Sequence, residues 1–180
     1  MRILAMRELN HEKKSIGEGM SEEKISTAIK GAIGEFYVAS FLSAMGLVVA
    51  LPRSGVPSSD LIVTTHEGHR SISIQVKTSL SPINKSKKYG DYWSWDVSKK
   101  AKENRSKFHW YALVNAYNWP FSENSPDIFF LPSEVVANIV TDWNDQNAPR
   151  LFFRIKEVEE RDLYLAITGF RQMELALKET

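Results

Sequence analysis

The sequence predicts an α/β fold in which a mixed β-sheet is flanked by helices. Three observations carry this: a long helical apolar period near the start, a strictly alternating strand in the middle, and a second helical period at the end after several aromatic and β-branched runs. At 180 residues the chain can bury one sizeable core and is too short for two ordinary domains. Residues 1–20 read as a weakly structured segment, broken at Gly17 and Gly19, and residues 21–180 as a single domain.

The first helix is expected from about Ser21 to Met45. Ile25, Ile29, Ile33, Phe36, Ala39 and Leu42 recur at intervals of three or four, which predicts that they face the core, and Gly46 stands where such a helix ends. Leu47 to Leu51 reads as a buried strand, followed by the loop PRSGVPSS and a second strand from Asp60 to Thr65. The third strand, Arg70 to Thr78, has the clearest pattern: Ile72, Ile74 and Val76 alternate with Ser71, Ser73, Gln75 and Lys77, so one face is core and the other polar. Residues 80–107 read as a long polar connection with a short helix near Ser98 to Ser106. Strands follow at Phe108 to Ala116 and Asp127 to Leu131, then a helix capped by Ser133 and running through Val140. A strand near Leu151 to Ile155 and a helix near Gly169 to Lys178 complete the chain.

Composition excludes several classes of function. There is no cysteine, which rules out thiol catalysis, Cys-ligated zinc and disulfides and suits a reducing compartment. The opening MRILAMRELNHEKK is interrupted by charge and lacks a small-residue cleavage site, and no apolar run approaches a membrane span, so the expected setting is the cytoplasm with no membrane partner. The net charge of +1 would argue against a surface covered in basic residues, but its distribution is uneven. Residues 70–107 hold 10 basic and 3 acidic side chains (+7), whereas residues 108–153 hold 1 and 5 (−4). Within the basic stretch Lys85, Lys87, Lys88, Lys99, Lys100, Lys102, Arg105 and Lys107 are interleaved with Tyr89, Tyr92, Trp93 and Trp95. Cations that neutralise phosphates beside rings that can stack on bases make this a candidate nucleic-acid-binding segment; a solvated loop whose rings close over the core reads about equally well.

A chemical site emerges from the hairpin around Glu67 and Gly68. If these two are the central pair of a two-residue turn, opposed residue numbers sum to 135 and Asp60 faces Gln75. Directly opposed side chains share a sheet face with Cβ atoms roughly 4.5 to 5.5 Å apart, and Lys77 follows on that face two residues on. A carboxylate and an amide oxygen are hard ligands of the kind magnesium prefers, and a backbone carbonyl on the third strand, that of Val76, can add another. A nearby lysine can orient an attacking water or offset charge gathering on a phosphate. Glu35, on a polar stripe bordering the apolar one of the first helix, can reach the same metal directly or through water. The arrangement suits phosphodiester hydrolysis.

These stretches, GEFYVASFLSAMG, SGVPSSDLIV and SISIQVKTS, resemble the core of the PD-(D/E)XK nuclease superfamily. Carried over by motif, Glu35 matches the helical glutamate, Asp60 the strand aspartate, Gln75 the second metal-ligand position and Lys77 the catalytic lysine. The resemblance covers residues 31–79 and extends weakly to FHWYALVNAY and PDIFFLPSEVV. Gln75 departs from the usual acid and resembles the PD-(D/Q)XK homing endonuclease branch; it removes a negative charge from the metal site. Pro57 is two serines away from Asp60, a looser spacing than the motif's. The resemblance implies a restriction-endonuclease-like mixed sheet flanked by helices, an endonuclease acting on DNA, Mg2+ or Mn2+ as cofactor, and a homodimer or higher homo-oligomer where both strands are cut. The competing expectation is a catalytically inactive domain of this fold that binds nucleic acid or a protein partner.

Other residues have plainer readings. His66 and His69 flank the hairpin turn without a third ligand. His109 reads as a sheet-face residue or a weak phosphate contact. Arg53, Ser54 and Gly55 read as an ordinary turn, and Trp110, Trp119 and Trp143 as packing residues.

Overall fold

The computed structural model describes residues 25–53, 59–81, 83–88, 90–121, 123–141, 148–155 and 158–178. The expected N-terminal segment 1–20, Ser54, Gly55, Pro57, Tyr89 and Trp143 lie outside the described residues. Eight strands form two sheets among the described residues. The larger has the order β1 (Val48–Ala50), β2 (Leu61–Thr64), β3 (Ser71–Ser79), β6 (His109–Asn115), β7 (Asp127–Pro132), and the smaller the order β4 (Asn84–Ser86), β5 (Gly90–Asp96), β8 (Arg150–Arg154). β3 and β6 are parallel and every other neighbouring pair antiparallel, so the main sheet is mixed. The helices are α1 (Thr27–Ala44), α2 (Ser133–Thr141), α3 (Val158–Tyr164) and α4 (Ala166–Lys178), with a 3-10 helix at Lys99–Glu103.

Helix α1 begins where Ser26, in an extended conformation, accepts the backbone N–H of Ile29 at 3.3 Å. It ends at Gly46, which adopts φ +87° and lets the Leu47 N–H reach back to the Leu42 carbonyl at 3.1 Å. Between these ends, the face turned to the sheet differs from the one expected. Gly34, Val38 and Leu42 are buried, whereas Ile25, Ile29 and Phe36 are 44%, 57% and 63% exposed. A close approach sets this rotation: a Cβ at Gly34 would fall 1.9 Å from Thr78 Oγ1 and 3.1 Å from Val76 Cγ1. Only glycine lets the helix backbone lie this near β3.

The two faces of the main sheet bury separate cores. On one, Val38 and Leu42 of α1 and Phe170, Met173 and Leu177 of α4 pack on Leu61, Val63, Ile72, Ile74, Val76, Ala112 and Phe130. On the other, Tyr111, Leu113, Phe129 and Leu131 meet Val136 and Val140 of α2 and the inner residues of the small sheet, Trp95, Leu151 and Phe153. β6 and β7 are therefore covered on both sides.

The stretch 80–107, read from sequence as a polar connection, contains β4 and β5. Trp93 and Trp95 enter the second core, with Trp95 and Phe129 rings 5.5 Å apart, and β8 supplies the strand that pairs β5. The polarity of the stretch comes from its outer face and turn. The Ser133 hydroxyl, expected as a helix cap, donates to the Ser106 carbonyl at 2.8 Å. The last helix begins at Ala166, so Gly169 lies inside it, where a Cβ would meet the Tyr164 carbonyl oxygen at 2.2 Å.

Candidate active site

The β2–β3 hairpin has the register expected from its alternation, but the ladder stops at Thr64 and Ser71, and the turn is formed by the Gly68 N–H donating to the Thr65 carbonyl at 3.1 Å and not by a two-residue turn at Glu67 and Gly68. Leu61 faces Ile74, Ile62 faces Ser73, Val63 faces Ile72 and Thr64 faces Ser71, every pair summing to 135, and Gly68 takes φ +69° in the turn. His66 and His69 are exposed beside it.

Asp60 lies one residue beyond the last pair and leaves the ladder. Its N–H donates to the Ile74 carbonyl at 2.9 Å, and its Oδ2 accepts the Val76 N–H at 2.7 Å. Along β3 the residues alternate in the edge their backbone groups face: Ser73 turns its N–H to Phe108 on the β6 side, while Ile74 and Val76 turn toward β2. The Val76 carbonyl therefore points to the edge where Asp60 sits. The carboxylate both terminates the β2–β3 ladder and brings a negative charge to that edge.

Gln75 and Lys77 are half-buried on β3, in register with Tyr111 and Leu113 of β6, and so share the face turned to the small sheet. Glu35 comes from the opposite side, next to Gly34 on α1, and is also half-buried. Burial, and then the charge of Asp60, push its carboxyl above the usual carboxylate range. Asp60 is also felt by His109, on the Gln75 face. The candidate residues thus straddle one edge of β3, with Asp60 in the plane of the sheet, where the hairpin symmetry alone placed Asp60, Gln75 and Lys77 on one face. Among the described residues, no hydrogen bond or ion pair joins the side chains of Glu35, Asp60, Gln75 and Lys77 to one another.

Among the described residues no three His, Cys, Asp or Glu side chains cluster as a metal-binding group. The candidate oxygens along this edge are the carboxylates of Glu35 and Asp60 and the Val76 carbonyl, with the Gln75 amide on the face turned to the small sheet. Its chemistry fits a hard divalent cation, since the like charges of Glu35 and Asp60 press on each other without one.

His109 is a buried sheet-face residue, one of the two readings its position in the sequence allows. It is 3% exposed, its Nδ1 lies 2.7 Å from Ser73 Oγ, and its ring meets Tyr111 edge-on at 5.3 Å. The basic segment divides. Lys85, Lys87, Lys100 and Lys102 are exposed, as are Lys88 and Lys99. The Arg105 guanidinium bonds Asn138 Oδ1 at 2.5 Å and Thr141 Oγ1 at 3.4 Å on α2, and Lys107 lies over the Phe108 ring at 5.3 Å. Trp93 and Trp95 face inward against Phe129, whereas Tyr92, on the other face of β5, meets the 45% exposed Phe152 ring edge-on at 5.9 Å. Trp110 is buried and Trp119 packs edge-on against Tyr37.

No protein-family model matches the chain, and no curated protein matches it in sequence. Among solved structures, it resembles the bacterial homing endonuclease I-Ssp6803I with a TM-score of 0.52 at 18% identity, over 86% of this chain and 94% of that one. The likeness establishes a shared fold: a mixed α/β arrangement of nuclease type, with a five-stranded mixed sheet, a second sheet and flanking helices. No helix among the described residues is long and apolar enough to cross a membrane.

Proposed function

We propose that the chain is a divalent-metal-dependent endonuclease that hydrolyses phosphodiester bonds in DNA. The observation that carries this is Asp60: its carboxylate is pinned by the Val76 N–H at the open edge of β3, within electrostatic reach of Glu35, in a chain with the fold of a homing endonuclease. Asp60 and Gln75, with the Val76 carbonyl, would hold Mg2+ or Mn2+, and Glu35 would bind it directly or through water. Bound there, the ion supplies Lewis-acid polarisation of the phosphoryl oxygen and a water of lowered pKa. The Val76 N–H fixes the orientation of Asp60. Gln75 offers a neutral oxygen, so the site carries one negative charge fewer than a three-carboxylate site. Lys77 orients the attacking water and offsets the charge that develops on the phosphate.

Plasmid nicking assayed with magnesium tests the reading. Lys77→Ala and Asp60→Asn should each lower cleavage by about a hundredfold or more. Asp60→Asn keeps an oxygen for the Val76 N–H and should melt close to the parent protein. Asp60→Ala strands that N–H and should in addition lose about 1–3 kcal/mol of stability. Undiminished cleavage in both Lys77→Ala and Asp60→Asn would sink the assignment, and tight DNA binding without any cleavage by the parent protein would favour a binding module instead.

A further inference from the structure

Beyond Lys77, β3 runs into a cavity of about 200 Å³ where the two sheets meet the first turns of α1. Lys30 enters from α1, Thr78 and Ser79 from β3, Asn84 from β4, Ser94 and Trp95 from β5, and Arg150 from β8, with Ser81 and Asp96 completing the lining. The volume matches about six or seven waters, enough for a phosphodiester group and part of a sugar.

Hydrogen-bond donors are left unused in this cavity, beside the amide oxygen of Asn84 and the second carboxylate oxygen of Asp96. Ser79 Oγ accepts the Ser81 N–H at 3.3 Å, and Ser94 Oγ accepts from Asn84 Nδ2 at 3.2 Å. Each hydroxyl thus has an acceptor site used and its own proton still to give. Trp95 Nε1 is already committed to the Val114 carbonyl at 2.8 Å, so the ring is a fixed wall. Charge points the same way. Arg150 Nε and Asp96 Oδ1 pair at 2.8 Å at the exposed rim, while Lys30 forms no ion pair among the described residues. The balance of one positive charge equals that of a single phosphodiester with opposite sign.

We propose that this cavity seats a backbone phosphate of the bound DNA strand, held by Lys30 and the hydroxyls of Ser79 and Ser94 beside the Lys77 end of the active site. The proposal rests on the nuclease reading for the identity of the strand, but not for the chemistry of the cavity. A phosphate fixed here would set the register in which the strand crosses Lys77, since backbone contacts position a duplex without reading its sequence.

Binding measured without metal, in EDTA, separates this from catalysis. Fluorescence polarisation with a labelled duplex over a range of salt should show Lys30→Gln weakening affinity about tenfold and flattening the log–log salt slope by about 0.9, equally for unrelated sequences. Ser94→Ala should weaken affinity in the same assay without changing the slope, and it carries the test should Lys30→Gln fail to fold. In parallel, dimethyl phosphate titrated into 15N-labelled protein should shift the amide signals of Ser79, Ser81 and Ser94 in the parent and leave them unmoved in Lys30→Gln. Parent-like affinity in both variants, or no shift of those signals, overturns the phosphate seat. If the seat fails while Lys77→Ala still abolishes cleavage, the nuclease reading stands; if the parent neither binds nor cuts DNA, that reading falls and the dimethyl phosphate titration alone decides the cavity.

Discussion

His109 is buried on the Gln75 face of the main sheet, in register with Ser73 and hydrogen-bonded to its hydroxyl. Burial holds its imidazole below the ordinary histidine value, and the charge of Asp60 offsets this only in part. The folded protein therefore resists taking a proton that the unfolded chain accepts. Its contribution to stability is present above the ordinary histidine value, about 6.5, and is lost as pH falls through the lower folded value. The melting temperature should fall between about pH 7.5 and pH 5, and His109→Gln, which keeps a polar partner for Ser73, should make that fall shallower. Parallel melting curves for the two proteins across this range would show that the imidazole is not a source of acid lability. Asp60 illustrates the same economy of one group acting twice, since a single carboxylate closes the strand ladder and charges the site edge. That double role was not legible in the sequence. The aspartate at the start of a strand was, but its bond to the Val76 N–H depends on β2 pairing no further than Leu61.

At the scale of elements, the contact between α1 and β3 decides where Glu35 sits. The apolar residues of α1 occur on almost every side of the helix, so periodicity alone could not say which would face the sheet, and the stripe chosen by spacing left Ile25, Ile29 and Phe36 outside. The deciding residue is the smallest one, Gly34, whose lack of a side chain brings the backbone against Thr78 and keeps the adjacent Glu35 within electrostatic reach of Asp60. Gly34→Ala should overpack this contact and cost about 1–3 kcal/mol. The helix should lift from β3, so cleavage should fall together with stability. Thr78→Ala in the same chain removes the atom that would lie 1.9 Å away but leaves the Thr78 Cβ at 3.1 Å, so rescue of both should be partial. Denaturant midpoints and cleavage rates of the single and double variants check this. An unaffected Gly34→Ala protein would mean that helix and strand yield at little cost. The register from Leu61 to Thr64, by contrast, was legible, because one face of β3 is buried and a slip would turn it outward, although the turn itself runs from Thr65 to Gly68 and not through a two-residue turn at Glu67 and Gly68.

Across the whole molecule, the +7 stretch folds so that its two chemical characters separate. The rings of Trp93 and Trp95 close the second core, while Lys85 and Lys87 remain at the outer end of the β4–β5 hairpin and Lys100 and Lys102 on the exposed 3-10 helix. Sequence alone could not resolve this. Alternation in β5 is masked by the charges around it, and its burial depends on β8, which arrives more than fifty residues later. The separation bears on the proposed DNA binding: Trp93 and Trp95 are committed to the core, so the affinity this segment would lend rests chiefly on its cations, and those cations are not equivalent. Arg105 is bonded to Asn138 and Thr141 and secures the 3-10 segment to α2, whereas Lys85 and Lys87 project into solvent. Each lysine that meets a phosphate contributes about 0.9 to the slope of log affinity against log salt. The double substitution of Lys85 and Lys87 by Ala should therefore flatten the slope by about 1.8 with little change in melting temperature, measured on metal-free protein with a labelled duplex. Arg105→Ala should do the reverse, lowering the melting temperature while leaving the slope as it was. A slope untouched by loss of both lysines would place the DNA on another face of the molecule, and a slope flattened by Arg105→Ala would mean that its guanidinium leaves α2 when DNA binds.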